Sequence, residues 1–317
     1  MPRMKTPFSA SLAAWAMAAC AGTSALVSAS AQAAEPPLPA VAVGRIERLA
    51  LPPSRHVDAR PVDVWLPADY TPTRRHAVLY VHDGQMMFDE RITWNKQAWH
   101  IHLAVDRLVR AGRIPPTLVV GVWNNGERRR SEYYPEKFLP YLAEPVRQRL
   151  VAEGLAGQPR ADAYLRFVVD ELKPAIDARY ATHPGRAHTA VLGSSMGGLI
   201  SVYALSEYPQ VFGGAAGLST HWVGGFQPNA ALPLAAFEYL RDHLPAADGQ
   251  RRLYMDHGTT ELDAIYAPYQ AFVDEIVRER GYTSRDSASR VFAGTGHNER
   301  AWAERVHLAI EFLLGGR

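Results

Sequence analysis

Thr189-Ala190-Val191-Leu192-Gly193-Ser194-Ser195-Met196-Gly197-Gly198-Leu199-Ile200 is the stretch that decides what this chain folds into. Thr189–Leu192 is an apolar, strand-forming run that stops at a Gly-Ser-Ser cluster. From Met196 the spacing changes: Leu199, Ile200, Val202, Tyr203 and Leu205 recur at helical intervals up to Tyr208. Strand, tight turn and helix follow one another, with G-x-S-x-G (Gly193, Ser195, Gly197) at the junction. This is a nucleophile elbow, in which small residues permit the strained turn that exposes a serine oxygen. The bland alternative is a Gly/Ser turn without chemistry, which is common where the motif floats free of such flanks. Ser194 is the neighbouring hydroxyl, but the spacing of the glycines selects Ser195.

The same alternation runs outward in both directions. Upstream, Val41–Leu51, Val62–Leu66, Ala77–Val81 and Leu118–Val122 read as strands; downstream, Arg252–Met255 and Arg290–Phe292 do, with a strand-like Gly213–Gly217. The continuous apolar runs suit strands buried on both faces. Tyr164–Tyr180, Met196–Tyr208, Ala267–Arg280 and Glu299–Leu314 carry helical stripes. Strands alternating with helices predict an α/β fold with a mostly parallel central sheet flanked by helices. No Gly/Ser linker divides the chain and no repeat is visible, so residues 34–317 are expected to form one domain.

A serine hydroxyl is a weak nucleophile without a base, and in this architecture the order is Ser, then acid, then His. Of the twelve histidines, His297 lies in Gly294-Thr295-Gly296-His297-Asn298, between a strand and the last helix. Loops at strand C-terminal ends collect the functional groups of α/β sheets, so His297 is the expected base. The acid should follow an earlier strand, and Asp256-His257-Gly258-Thr259-Thr260-Glu261-Leu262-Asp263 offers three carboxylates. Asp256 sits at the strand end, where it can equally brace the loop; the residues alone do not order Glu261 and Asp263. For the oxyanion hole, one N–H comes from Met196, after the nucleophile. The other comes from the loop His82-Asp83-Gly84-Gln85, where Gln85 is the expected donor.

Several residues are candidates for substrate contact. Arg128-Arg129-Arg130 with Glu132-Tyr133-Tyr134 follows the Leu118–Val122 strand, and from it Arg130 and Tyr133 are expected to hold a carboxylate or sugar hydroxyls. The alternative is a solvated charge run. Thr220-His221-Trp222 offers His221 and an aromatic to stack on a ring, the alternative being a core tryptophan. Met86-Met87-Phe88 can wall a pocket or belong to the core, and Trp94, Trp99, His100 and His102 lie beyond. His100-x-His102 lacks a Cys or acidic partner at ligand spacing, so no metal or other cofactor is expected.

Taken together, these segments resemble the putative-esterase family of α/β-hydrolases, which includes esterase D, feruloyl and acetylxylan esterases, enterochelin esterases and the mycobacterial mycolyltransferases. The resemblance rests on Tyr80–Gln85, Gly121–Gly126 with Arg130 and Glu132-Tyr133, Gly193–Gly198, Asp256–Thr259 and Gly296–Glu299, spread from about Val62 to Leu314. It implies an α/β-hydrolase fold with Ser195 as nucleophile, His297 as base and an acid after a Gly-Thr pair, which places it at Glu261. Many relatives carry Asp where this chain has Glu. The activity implied is hydrolysis of carboxylic esters through an acyl-enzyme, on a small-molecule or saccharide ester. Acyl transfer to a sugar or other alcohol uses the same residues. A non-catalytic binding module would be expected to lack one of them, and none is missing.

The N-terminus is of a different kind. Arg3 and Lys5 precede the apolar stretch Phe8–Val27, and Ala31-Gln32-Ala33 ends it as an A-x-A cleavage site. Residues 1–33 are therefore expected to be a secretory signal peptide, giving a secreted or periplasmic protein with no transmembrane span after cleavage. Cys20, the sole cysteine, lies within it; Met17-Ala18-Ala19-Cys20 is the competing lipoprotein site. Removing two basic residues leaves 32 basic against 32 acidic, so no cationic excess draws the chain to nucleic acid.

Overall fold

The computed structural model describes residues 35–316. The expected signal peptide, residues 1–33, and the alternative site at Cys20 lie outside them. The body Pro37–Arg317 is built on one sheet. Its strands are β1 (Arg45–Arg48), β2 (Val62–Leu66), β3 (Ala77–His82), β4 (Thr117–Val122), β5 (Thr189–Ser194), β6 (Gly214–Leu218), β7 (Arg252–Gly258) and β8 (Ser287–Phe292). They lie in the order β1-β2-β4-β3-β5-β6-β7-β8. Pairing is parallel from β4 through β3, β5, β6 and β7 to β8, and antiparallel at β1–β2 and β2–β4. This is the mostly parallel sheet expected from the alternation of elements.

The apolar runs form strands because each is covered on both sides. In β3, Val78 and Tyr80 point into one core layer while Ala77, Leu79 and Val81 point into the other. In β5, Val191 divides from Ala190 and Leu192 in the same way. One layer is completed by Ala161–Arg179, Met196–Glu207, Ala231–His243 and Ala267–Glu279. The helices Ile101–Arg110 and Glu299–Leu314 cover the other face. The predicted helix Tyr164–Tyr180 is a helical stretch from Ala161 to Arg179 with a π-helical centre at Phe167–Leu172. Among the described residues, no helix is long and apolar enough to cross a membrane.

Several strand bounds differ from expectation, the first and the last among them. The first strand shrinks to Arg45–Arg48 because only these residues pair with β2. The last grows to Ser287–Phe292, an edge strand whose half-buried Ser287 and Ala288 and exposed Ser289 give no apolar run. The C-terminal ends of β3, β5, β6, β7 and β8 now share one rim, and the candidate site stands there.

Candidate active site

Ser195 follows β5 and precedes the helix Met196–Glu207 with φ 54° and ψ −122°, a conformation costly for any residue with a Cβ. Neighbouring atoms hold it there: its N–H donates to Leu218 O at 2.9 Å, and its carbonyl accepts from His221 N at 3.2 Å. Gly193 is required, because a Cβ on it would lie 2.5 Å from the Gly197 carbonyl carbon. Met196 is the first residue of the helix, where its N–H has no acceptor in the preceding turn.

His297 lies between β8 and the helix Glu299–Leu314, whose N-cap is Asn298: the Asn298 side chain accepts from Ala301 N at 3.0 Å. The imidazole donates from Nδ1 to Asp263 Oδ1 at 2.6 Å. Asp263 is almost fully buried in the short turn Glu261–Ile265 that follows β7. Its other oxygen, Oδ2, accepts from Ser219 Oγ and from Gly258 N, each at 2.6 Å. Burial pushes the Asp263 pKa up, but the bonds from His297 and Ser219 outweigh it and hold the group below its ordinary value.

The expectation that Glu261 meets the imidazole is corrected by this geometry. Glu261 opens the turn at φ 55° and reaches over the 294–298 loop, where Oε2 accepts the backbone N–H of His297 at 2.8 Å. Its carboxylate also lies against Asn298 Nδ2. The turn carries the shorter side chain, two residues on, back beneath the loop, so Asp263 takes the place expected of Glu261. Asp256 is the second buried carboxylate. It accepts from Arg305 Nη2 at 3.0 Å, Tyr254 Oη at 3.2 Å and Ser219 N at 3.2 Å. Burial raises its pKa to about 6 against the pull of Arg305.

Gln85 lies in the turn Gly84–Met86 after β3, and its Oε1 accepts from Asn124 N at 3.1 Å. Gly84 lies against β4, since a Cβ on it would fall 2.4 Å from the Gly121 carbonyl carbon. Gln85, Ser195 and His297 border one cavity of about 720 Å³, within the range of small-molecule sites. Met86, Met87, Trp94, Trp99, Phe226 and Trp302 supply its apolar wall, and Asn95, Gln97, Asn124 and Arg129 its polar one. Phe88 belongs to the core instead. Trp94 and Phe226 are 83% and 77% exposed, the two most exposed large apolar side chains among the described residues, and both stand at this cavity.

The four residues expected to touch substrate lie elsewhere. Trp222 is buried, its Nε1 donating to Gln270 Oε1 at 2.9 Å. Tyr133 is buried beneath Arg129, and its hydroxyl accepts from Asp83 N at 3.2 Å. Arg130 donates to Gly224 O at 2.8 Å and borders a separate cavity of about 310 Å³. His221 is buried with Nδ1 on Tyr266 Oη at 2.6 Å, and burial, with His297 and two arginines nearby, lowers its pKa to about 3. The reason is common to all four. Nearness to a strand end does not say which way a side chain points, and none of these four lines the cavity beside Ser195.

Arg129, passed over for Arg130, borders the cavity and grips Asp83 with two bonds of 2.7 Å. Despite burial, Arg129 and Asn124 hold Asp83 below the usual carboxylate range. Ser219 and Tyr266 were also missed; the available signal was their position beside the end of β6 and three residues after Asp263. Among the described residues, no cluster of His, Cys, Asp and Glu is arranged to hold a metal.

The sheet order and the rim geometry define an α/β-hydrolase. Residues 56–310 match the family described as "Putative esterase", and the chain belongs to that family. An uncharacterized protein, YbbA of Bacillus subtilis, is 23% identical over 261 residues, 80% of this chain and 91% of that one. Among solved structures, a ferulic acid esterase of Anaeromyces mucronatus superposes with TM-score 0.58 at 16% identity, covering 86% of this chain and 91% of its own. The enterobactin esterase of Shigella flexneri gives TM-score 0.63 at 16% identity, covering 87% of this chain and 60% of its own.

Proposed function

We propose that this protein hydrolyses carboxylic esters through an acyl-enzyme on Ser195. The observation that carries the reading is the 2.6 Å bond from His297 Nδ1 to buried Asp263, in a cavity that Ser195 and His297 share. With Nδ1–H committed to Asp263, the free imidazole nitrogen Nε2 is left unprotonated and can take the Ser195 proton. Ser195 Oγ then attacks the ester carbonyl, and the charge moves to the carbonyl oxygen. Met196 N–H and Gln85 N–H are the assigned donors to that oxygen. As the C–O bond breaks, the imidazolium returns the proton to the departing alcohol. Water repeats the sequence on the acyl-enzyme, with His297 as base, and regenerates Ser195. Asp263 keeps the tautomer and stabilises the imidazolium while it lasts.

The substrate class that fits is a small-molecule or saccharide ester. The neighbours named for ferulic acid and for enterobactin support an ester substrate, and here Trp94, Trp99 and Phe226 offer aromatic faces in the cavity beside the serine. Residues 1–33 are proposed as a cleaved signal peptide and residues 34–317 as one esterase domain, on the sequence alone. The test of the reaction is covalent: a p-nitrophenyl phosphonate should phosphonylate Ser195 with release of p-nitrophenolate, the added phosphonyl mass being located by peptide mapping. Ser195→Ala should take no label and lose nearly all hydrolysis of p-nitrophenyl acetate. Turnover retained by folded Ser195→Ala would overturn the reading.

A further inference from the structure

Ser219 follows β6 and carries no obvious chemistry, yet it is fully buried with φ 47°, a region that non-glycine residues seldom enter. Its hydroxyl has three partners. It accepts from Trp302 Nε1 at 2.9 Å and from Arg305 Nη2 at 2.8 Å, and lies 2.6 Å from Asp263 Oδ2. A hydroxyl has one proton and two lone pairs. An indole N–H and a guanidinium can only donate, so they occupy the lone pairs and the Ser219 proton must go to the carboxylate. The hydroxyl is saturated and its polarity is fixed.

The residues flanking Ser219 hold the nucleophile. Leu218 O accepts from Ser195 N, and His221 N donates to Ser195 O. Trp302 meets the His297 ring edge-on, with centroids 5.0 Å apart and planes at 81°, and borders the cavity. One short turn therefore touches the nucleophile, the acid and the wall beside the base.

We propose that Ser219 is a positioning residue: through a single hydroxyl it orients Asp263 and Trp302 against His297 and fixes both relative to Ser195. This rests on the reading of Ser195, His297 and Asp263 given above. Without the hydroxyl, Asp263 Oδ2 keeps only the Gly258 N–H, so the carboxylate is freer to rotate and binds a proton more readily. The groups facing Asp263 are His297, Arg305 of the last helix at 3.9 Å, Tyr266, and more distantly His221. Asp256, behind Arg305, titrates near 6, so the variants are compared with wild type rather than read alone.

The experiment uses Ser219→Ala and Ser219→Gly. Glycine adopts φ 47° without strain and alanine does not, so the two differ in stability while lacking the same hydroxyl. Both should be labelled at Ser195 by the phosphonate. Both should lose about tenfold in kcat on p-nitrophenyl acetate with little change in KM, and their acid limb of kcat against pH should move up by about one unit. A folded Ser219→Gly with wild-type kcat and pH profile would overturn the inference and leave the serine-hydrolase reading standing. Failure of the phosphonate to label wild-type Ser195 would bring down both.

Discussion

Replacing Asp263 by asparagine tests the site at its most constrained point. The carboxylate receives His297 Nδ1–H on Oδ1, and Ser219 Oγ–H and Gly258 N–H on Oδ2. Asparagine has one acceptor oxygen and one NH2. The Gly258 N–H is backbone and cannot reorient, so the amide oxygen must face it, and the NH2 then points at His297. Turning the amide round would set two donors against each other at 2.6 Å and leave buried N–H groups unpaired. His297 must then accept at Nδ1 and carry its proton on Nε2, where it cannot act as base. The expected loss in kcat is about 10⁴-fold, the size seen when a triad aspartate elsewhere becomes its amide, or roughly 5 kcal/mol of barrier. Glu261→Gln serves as the control. Its amide oxygen can still accept from His297 N, so less than about tenfold should be lost. Both are read as kcat on p-nitrophenyl acetate, with thermal melts to show that the variants are folded. A larger loss in Glu261→Gln, or a folded Asp263→Asn retaining about a tenth of wild-type kcat, would refute the assignment.

Three further outcomes are expected. Gly193→Ala should destabilise the elbow by roughly 1–3 kcal/mol or more, seen as a lower urea midpoint, because its Cβ would meet immovable Gly197 backbone at 2.5 Å. Asp256 has its folded pKa raised to about 6 by burial, so its contribution is fully present at acid pH and is lost as pH rises from about 4 to about 6. The stability difference between wild type and Asp256→Asn should therefore fall across that window, by an amount of order 3 kcal/mol; a difference that is flat or grows would contradict the shift. Expressed in a Gram-negative host, the secreted protein should begin near Ala34 by intact mass, and a lipid adduct on Cys20 would favour the lipoprotein route.

Most of the fold was legible because burial on both faces leaves a plain mark. Runs such as Ala77–Val81 and Leu118–Val122 have few other uses, and the elbow fixed the place of Ser195 in the sheet. β8 was read short because half of its residues face solvent. His297 was legible because it is the histidine in the loop between a strand and the last helix. The acid was not, since choosing between Glu261 and Asp263 depends on how a five-residue turn coils. A resemblance based on spacing after Gly-Thr pointed one way and the backbone went the other. Residues such as Trp222 and Tyr133 were misjudged because chain proximity to the rim says nothing about χ1. For Ser219 the only signal was its place beside the end of β6, because its partners Trp302 and Arg305 lie more than eighty residues away in the chain.

The cavity draws its parts from separable stretches of chain. Ser195, Asp263 and His297 stand on the loops after β5, β7 and β8, whereas much of the wall comes from Met86–Trp99, with Phe226 contributed independently. Substitutions at Trp94, Asn95, Gln97 or Phe226 therefore alter what fits without replacing Ser195, Asp263 or His297. Such a layout is evolvable: selectivity can drift, by mutation or by exchange of one surface segment between relatives, while the chemistry is inherited unchanged. A library confined to those four positions would sample new specificities from a scaffold in which Ser195, Asp263 and His297 stay in register.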